Sequence, residues 1–183
     1  GHTGGDLMTA TVGQWIEDAC DIFDHVLDKK QIIVGSSLGG WIMLSLCKYR
    51  NEKIDSLVGI AAAPDFTKSL IWETLDKEKQ EEFRARGYLA VANPYGGQDV
   101  IYPYELIEEA ENHLVLQSPI EFYGRVILHH GLRDTEVPWQ TSIKIAQQLK
   151  SNKVEIHLNK SACHRYSEEE QLNILIKSLI ELI

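Results

Sequence analysis

Residues 31–49 constrain the fold of this 183-residue chain more than any other stretch. The run from Gln31 through Ile32, Ile33 and Val34 is short and apolar and ends in Gly35, as a buried parallel strand does. From Gly39 to about Tyr49, the apolar residues Trp41, Ile42, Leu44 and Leu46 mark a helix. Between strand and helix lies Gly35-Ser36-Ser37-Leu38-Gly39, a G-x-S-x-G turn. A strand that turns this sharply into a helix forces its middle residue into a strained backbone conformation. Small residues two positions before and after it let strand and helix approach. The Ser37 hydroxyl is then expected to project above the strand ends, over a helix N-terminus that favours negative charge. The backbone N–H of Leu38 becomes a candidate oxyanion donor. Ser36 is not in the exposed middle position. A Gly-rich turn without chemistry is the competing reading.

The rest of the chain alternates in the same way. Residues 1–6 read as a Gly-rich loop, and about Thr9 to Leu27 as an amphipathic helix with an acidic outer face. Buried-strand runs follow at Ser56–Ala63, stopped by Pro64, and at Arg125–His130, stopped by Gly131. A helix is expected from Pro138 to about Lys150, and Val154–Asn159 alternates like an edge strand. Ser167 and Glu170 have the spacing of a capping box opening a last helix, whose Leu172, Ile174, Leu175, Ile176, Leu179 and Ile180 suffice to pack on a sheet. Asp65 to about Ser118 differs in composition. It holds a charge run at Asp76–Arg86, then Tyr88, Tyr95, Tyr102 and Tyr104 among Pro94, Pro103 and Gly96-Gly97, then a helical stretch from Tyr104 to Leu116. This insert is placed where a small helical lid would sit. The alternation predicts an α/β domain over residues 1–183, with a mostly parallel sheet and helices on both faces.

Serine is a weak nucleophile at neutral pH and needs a histidine base oriented by a carboxylate. Sites in open α/β sheets collect at the C-terminal ends of strands. Asp134 follows the strand ending at His130, and His164 follows the last strand by a few residues, so both are expected at the rim that carries Ser37. The order Ser, Asp, His suits this arrangement. Asp65 competes for the acid position, and Glu136 more weakly. An ordinary turn aspartate and a surface loop histidine are the bland alternatives. His129 and His130 are read as supporting the acid loop; a metal site from His129, His130 and Cys163 is the alternative. His25 and His113 fall on helices and His157 on the edge strand.

The formal net charge of −9 gives no basic face for nucleic acid. Cys20, Cys47 and Cys163 are widely spaced, which argues against a zinc or redox motif and suits a reducing compartment. No apolar run is long enough to span a membrane.

Taken together, Gly35-Ser36-Ser37-Leu38-Gly39-Gly40-Trp41, the string from His130 to Trp139, and His164-Arg165 resemble the α/β-hydrolase superfamily. More narrowly they resemble the branch of palmitoyl-protein thioesterases that also cleave acyl glucuronides, mitochondrial in animals, and its bacterial relatives. The resemblance implies an α/β-hydrolase fold and hydrolysis of esters or thioesters through an acyl-enzyme on Ser37, with His164 as base and Asp134 as acid. It implies a small-molecule or acylated-protein substrate, and neither cofactor nor metal. Location would be cytoplasmic for a bacterial member and mitochondrial for a eukaryotic one. Cys163 stands where the branch often has an aspartate. Gly1-His2-Thr3-Gly4-Gly5 resembles the loop after the fourth strand of this fold, so the first strands are expected to be missing upstream. With them would go the second oxyanion donor, which comes from the loop after the third strand. One lost donor costs about 2.7–4 kcal/mol of transition-state stabilisation. The chain alone is therefore expected to be weakly active or inactive, with an open apolar sheet edge at the nucleophile strand. A truncated or degenerate hydrolase fold kept for binding is the reading from another class, and a lipase-like or haloperoxidase-like relative is a third.

Overall fold

A computed structural model describes Asp6 and residues 8–183; the expectation for Gly1–Gly5 lies outside the described residues. The elements run in the order α1 (Val12–Val26), β1 (Gln31–Ser36), α2 (Leu38–Tyr49), β2 (Ile54–Ile60), α3 (Lys77–Arg86), β3 (Tyr88–Val91), β4 (Val100–Pro103), α4 (Tyr104–Ala110), β5 (Arg125–Gly131), α5 (Gln140–Gln148), β6 (Val154–Asn159) and α6 (Glu169–Ile180).

The chain divides into two compact units. One comprises residues 18–64 and 115–183 and holds a four-stranded sheet in the order β1-β2-β5-β6, every neighbouring pair parallel. The two middle strands are the most apolar, with Leu57, Val58, Val126, Ile127 and Leu128 buried, as strands covered on both faces require. β6 has no buried residue, as suits an edge, but the expected alternation breaks in its middle: Ile156 and His157 are both half-buried, and Leu158 is exposed. At the other edge Val34 remains 48% exposed.

Helix α6 departs from expectation. Its buried residues are Gln171 and Ser178, and only Leu175 packs into the cluster of Ile60, Ala162 and Tyr166. Leu172, Ile176 and Ile180 share an exposed stripe at i, i+4 and i+8. The cap is shifted by one residue from the Ser167–Glu170 expectation: Glu168 is the N-cap, and its N–H donates to Gln171 Oε1 at 3.2 Å. Two residues before this cap, Tyr166 is buried at a left-handed φ of 48°.

The other unit comprises, among the described residues, Asp6, 8–17 and 65–114. Asp76 caps α3 by accepting the Lys79 N–H at 2.9 Å, and Gly87 closes that helix at φ 78°. The tyrosine-rich stretch contains a hairpin that the pattern did not reveal. β3 and β4 pair antiparallel, Tyr88 opposite Pro103 and Val91 opposite Val100. Behind it, Trp72, Phe83 and Tyr104 pack ring against ring, and the Arg84 guanidinium lies over Trp72 at 4.9 Å. Glu109 accepts the N–H groups of Val12 and Gly13 at 2.9 and 3.0 Å, serving the first turn of α1. Among the described residues no helix is long and apolar enough to cross a membrane.

Candidate active site

The turn after β1 has the strain its sequence implies. Ser37 sits at φ 51°, ψ −121°, a conformation L-residues rarely adopt. Both of its backbone groups are tied to the chain leaving β2: the Ser37 N–H donates to Ile60 O, and its carbonyl accepts the Ala63 N–H, each at 3.0 Å. That chain is strained in turn. β2 stops at Ile60, short of the Ala63 expected, because Ala61 takes φ 45° and donates its N–H across to His129 O at 2.8 Å.

The glycines around Ser37 have unequal roles. A Cβ on Gly35 would lie 2.5 Å from the Gly39 carbonyl oxygen, and one on Gly40 would run into Ala62. A Cβ on Gly39 would meet nothing within 4 Å. The close approach expected of Gly35 and Gly39 is therefore made by Gly35 and Gly40. Leu38 opens α2, so its N–H has no acceptor within the helix.

Asp134 is carried by the loop that leaves β5. Its Oδ1 accepts the N–H groups of Glu136 and Val137 at 2.9 and 2.8 Å. Its Oδ2 lies 2.8 Å from His164 Nδ1 and 3.1 Å from His130 Nε2. The His164 loop is drawn to the same place through Gly131, where a Cβ would come within 2.5 Å of the Ala162 carbonyl carbon. Leu132 N–H donates to Asn159 O at 2.8 Å and Arg133 N–H to Ala162 O at 3.0 Å, joining the two loops. His164 Nε2 stands 3.0 Å from Ser37 Oγ. The network fixes one tautomer: the His164 Nδ1–H donates to Asp134, and Nε2 accepts the Ser37 hydroxyl. Ser37, His164 and Asp134 thus form one hydrogen-bonded chain.

The electrostatics follow from this packing. Burial alone would raise the Asp134 pKa. The hydrogen bonds from His130, His164 and the Val137 and Glu136 N–H groups outweigh it and hold the carboxyl far below the usual carboxylate range. The hydrogen bond to Asp134 raises the His164 pKa above that of a free imidazole, against the opposing effect of burial. Such an imidazole is a stronger base than a free one.

The competing residues fall elsewhere. His164 takes its carboxylate from Asp134, not from Asp65 or Glu136. Asp65, at φ 57°, accepts the Lys68 and Ser69 N–H groups on its carbonyl. Glu136 contributes its backbone N–H to Asp134. His130 spends both ring nitrogens on hydrogen bonds, and Cys163 is exposed while His129 is buried. Among the described residues no three or more His, Cys, Asp or Glu side chains are grouped to hold a metal ion. The supporting partners Ser142 and Val137 were not singled out in the sequence. Ser142 lies twelve residues after His130, and only the return of α5 onto β5 brings them together.

Comparison with known proteins bears on the family and the fold. A model of the prolyl oligopeptidase family matches residues 13–181. The chain is 39% identical over 184 residues to the mouse (Mus musculus) protein named palmitoyl-protein thioesterase ABHD10, mitochondrial, a match that takes in 100% of this chain and 62% of that protein. The chain thus spans less than two thirds of the length of this relative. The structure of mouse alpha/beta hydrolase domain-containing protein 10 superposes with a TM-score of 0.91 at 38% identity, covering 100% of this chain and 73% of that one. A putative hydrolase from Agrobacterium vitis S4 gives 0.93 at 30% identity, covering 100% and 72%. With its parallel sheet, its strained serine turn and these relatives, the chain belongs to the prolyl oligopeptidase family of α/β-hydrolases, on the branch that resembles the ABHD10 thioesterases.

Proposed function

We propose that this chain carries the reacting groups of a serine hydrolase that cleaves carboxylic ester or thioester bonds. The observation that carries the reading is the unbroken hydrogen-bonded path from Ser37 Oγ through His164 to Asp134, at 3.0 and 2.8 Å. In this reading Ser37 Oγ attacks the acyl carbonyl while His164 Nε2 accepts the hydroxyl proton. The Leu38 N–H, at the start of α2, donates to the oxyanion. As the intermediate collapses, His164 returns that proton to the departing alcohol or thiol, leaving an acyl-enzyme on Ser37. Water then repeats the sequence, with His164 again taking and returning one proton. Asp134 remains ionised throughout, since its hydrogen bonds hold its pKa far below that of His164.

Acyl-protein thioesters and acyl-glucuronide esters are the proposed substrate classes. The thioester class is supported by the name of the mouse relative, and the glucuronide class by the resemblance of the Ser37 and Asp134 motifs. A mitochondrial location belongs to the same proposal and rests on that name alone. The test is acid-quenched mass spectrometry after mixing the protein with an S-palmitoyl peptide or a nitrophenyl ester. An acyl adduct on the peptide containing Ser37, absent in Ser37→Ala, is expected. Substrate turnover that persists in Ser37→Ala would refute the mechanism. Tight binding of acyl peptide that is unchanged in Ser37→Ala, with no adduct and no turnover even in the full-length protein, would favour a binding role.

A further inference from the structure

The strand that delivers the acid loop carries two fully buried histidines just before its last residue, Gly131, and only one of them touches the site. His130 Nε2 faces two acceptors, Asp134 Oδ2 at 3.1 Å and Val137 O at 3.0 Å, so the proton resides on Nε2. Nδ1 then accepts the hydroxyl of Ser142, 2.8 Å away and also buried. The ring therefore bridges three elements: strand β5, which carries it; the acid loop, which it grips at Asp134 and Val137; and helix α5, which holds it through Ser142.

The other bonds of Asp134 cannot do this work. Its Oδ1 accepts N–H groups from Glu136 and Val137, which belong to its own loop and would travel with it. Its Oδ2 has two donors, and one of them, His164, is the group to be oriented. His130 is the remaining side chain that ties this oxygen to the body of the sheet. A carboxylate oxygen has two lone-pair directions; with one filled by His130, the other is left aimed at His164.

We infer that His130, anchored by Ser142, is a positioning residue that fixes the Asp134 carboxylate for His164. This inference rests on the hydrolase reading for its consequence in catalysis, but its geometric content is independent. The test uses three variants of the protein: His130→Leu, which removes the ring's contacts to Ser142, Asp134 and Val137; His130→Gln, whose side-chain amide can still donate to Asp134; and Ser142→Ala, which releases the ring from α5. Three quantities are read: the far-downfield proton resonance of the His164 Nδ1–H, the rate of Ser37 labelling by a fluorophosphonate, and the unfolding midpoint.

His130→Gln is expected to keep the resonance and to label within about tenfold of the parent. His130→Leu is expected to lose the resonance and to label about a hundredfold more slowly, the size of effect that a small misplacement produces. Its unfolding midpoint should remain near that of His130→Gln, which separates positioning from general loss of structure. Should His130→Leu fail to fold, Ser142→Ala decides: its resonance is expected to broaden and its labelling to slow several-fold. Resonance and labelling unchanged in His130→Leu, or in Ser142→Ala where the leucine variant does not fold, would overturn the inference. A parent protein that shows the resonance yet never labels at Ser37 would overturn the hydrolase reading instead, leaving the positioning claim to be judged by the resonance alone.

Discussion

His129 and His130 are neighbours on β5, equally buried, and face opposite sides of the sheet. On one side His130 is saturated: Ser142 on Nδ1, Asp134 and Val137 on Nε2. On the other, His129 lies edge-on to the His157 ring at 4.9 Å, with Tyr166 Oη 3.5 Å from its Nδ1 and, among the described residues, no hydrogen-bond partner for its buried Nε2. Burial, with His157 beside it, pushes the His129 imidazole down to about 4. The same residue type thus serves as a hydrogen-bonded strut on one face and as an uncharged packing ring on the other. The surroundings each face offers, and not the residue, decide which.

The largest expected effect lies on the His130 face. Asp134→Asn keeps the shape of the acid but favours the wrong His164 tautomer, and should slow Ser37 reactivity about ten-thousandfold. The pH profile should change as well. Asp134 raises the His164 pKa, and reactivity requires the unprotonated ring, so the parent's activity should rise with pH through a value above that of a free imidazole. In Asp134→Asn that limb should move to lower pH. A limb that stays in place would mean that another group sets it.

An intermediate effect is expected where the two faces share a strand end. Gly131→Ala would drive a Cβ into the backbone of Ala162, two residues before His164. Overpacking of this kind costs about 1–3 kcal/mol, read as a lower urea midpoint, and should also slow Ser37 labelling. A full-strength site in a destabilised protein would show that the His164 loop is held from elsewhere.

The smallest effect belongs to the His129 face and appears only in acid. His129 has a folded-state pKa below its unfolded value, so it costs nothing above pH 6.5 and progressively lowers stability as pH falls from there towards about 4. His129→Leu should flatten that part of the stability curve while leaving the neutral-pH reactivity of Ser37 little changed. A strong loss of reactivity at pH 7.5 would erase the distinction between the faces.

Much of this arrangement is legible in the sequence because it is local. An apolar run, a glycine-framed serine and a helix occupy nineteen successive positions, residues 31–49, and specify the turn at Ser37 without help from elsewhere. Asp134 and His164 were legible by a weaker route, since each simply follows a strand. What escaped depends on partners distant in sequence. The need for Gly40 arises from Ala62, the anchoring of His130 from Ser142, and the early end of β2 from the bond of Ala61 to His129. The β3–β4 hairpin escaped for another reason: its strands are four residues long and half-exposed or exposed through most of their length, too short for alternation to register. The difference between Gly35 and Gly39 checks this view directly. Gly35→Ala should destabilise by about 1–3 kcal/mol, and Gly39→Ala should change stability by about 0.5 kcal/mol or less.

One hydroxyl, that of Ser37, carries the proposed chemistry. The most direct measurement is peptide mapping of the protein after exposure to a fluorophosphonate, across pH, for the parent and for His164→Ala. The expected result is a single adduct on Ser37 whose rate rises with pH through the His164 titration, and its loss in His164→Ala. An adduct on Ser36 or on any other residue, or Ser37 labelling that persists without the imidazole, would contradict it.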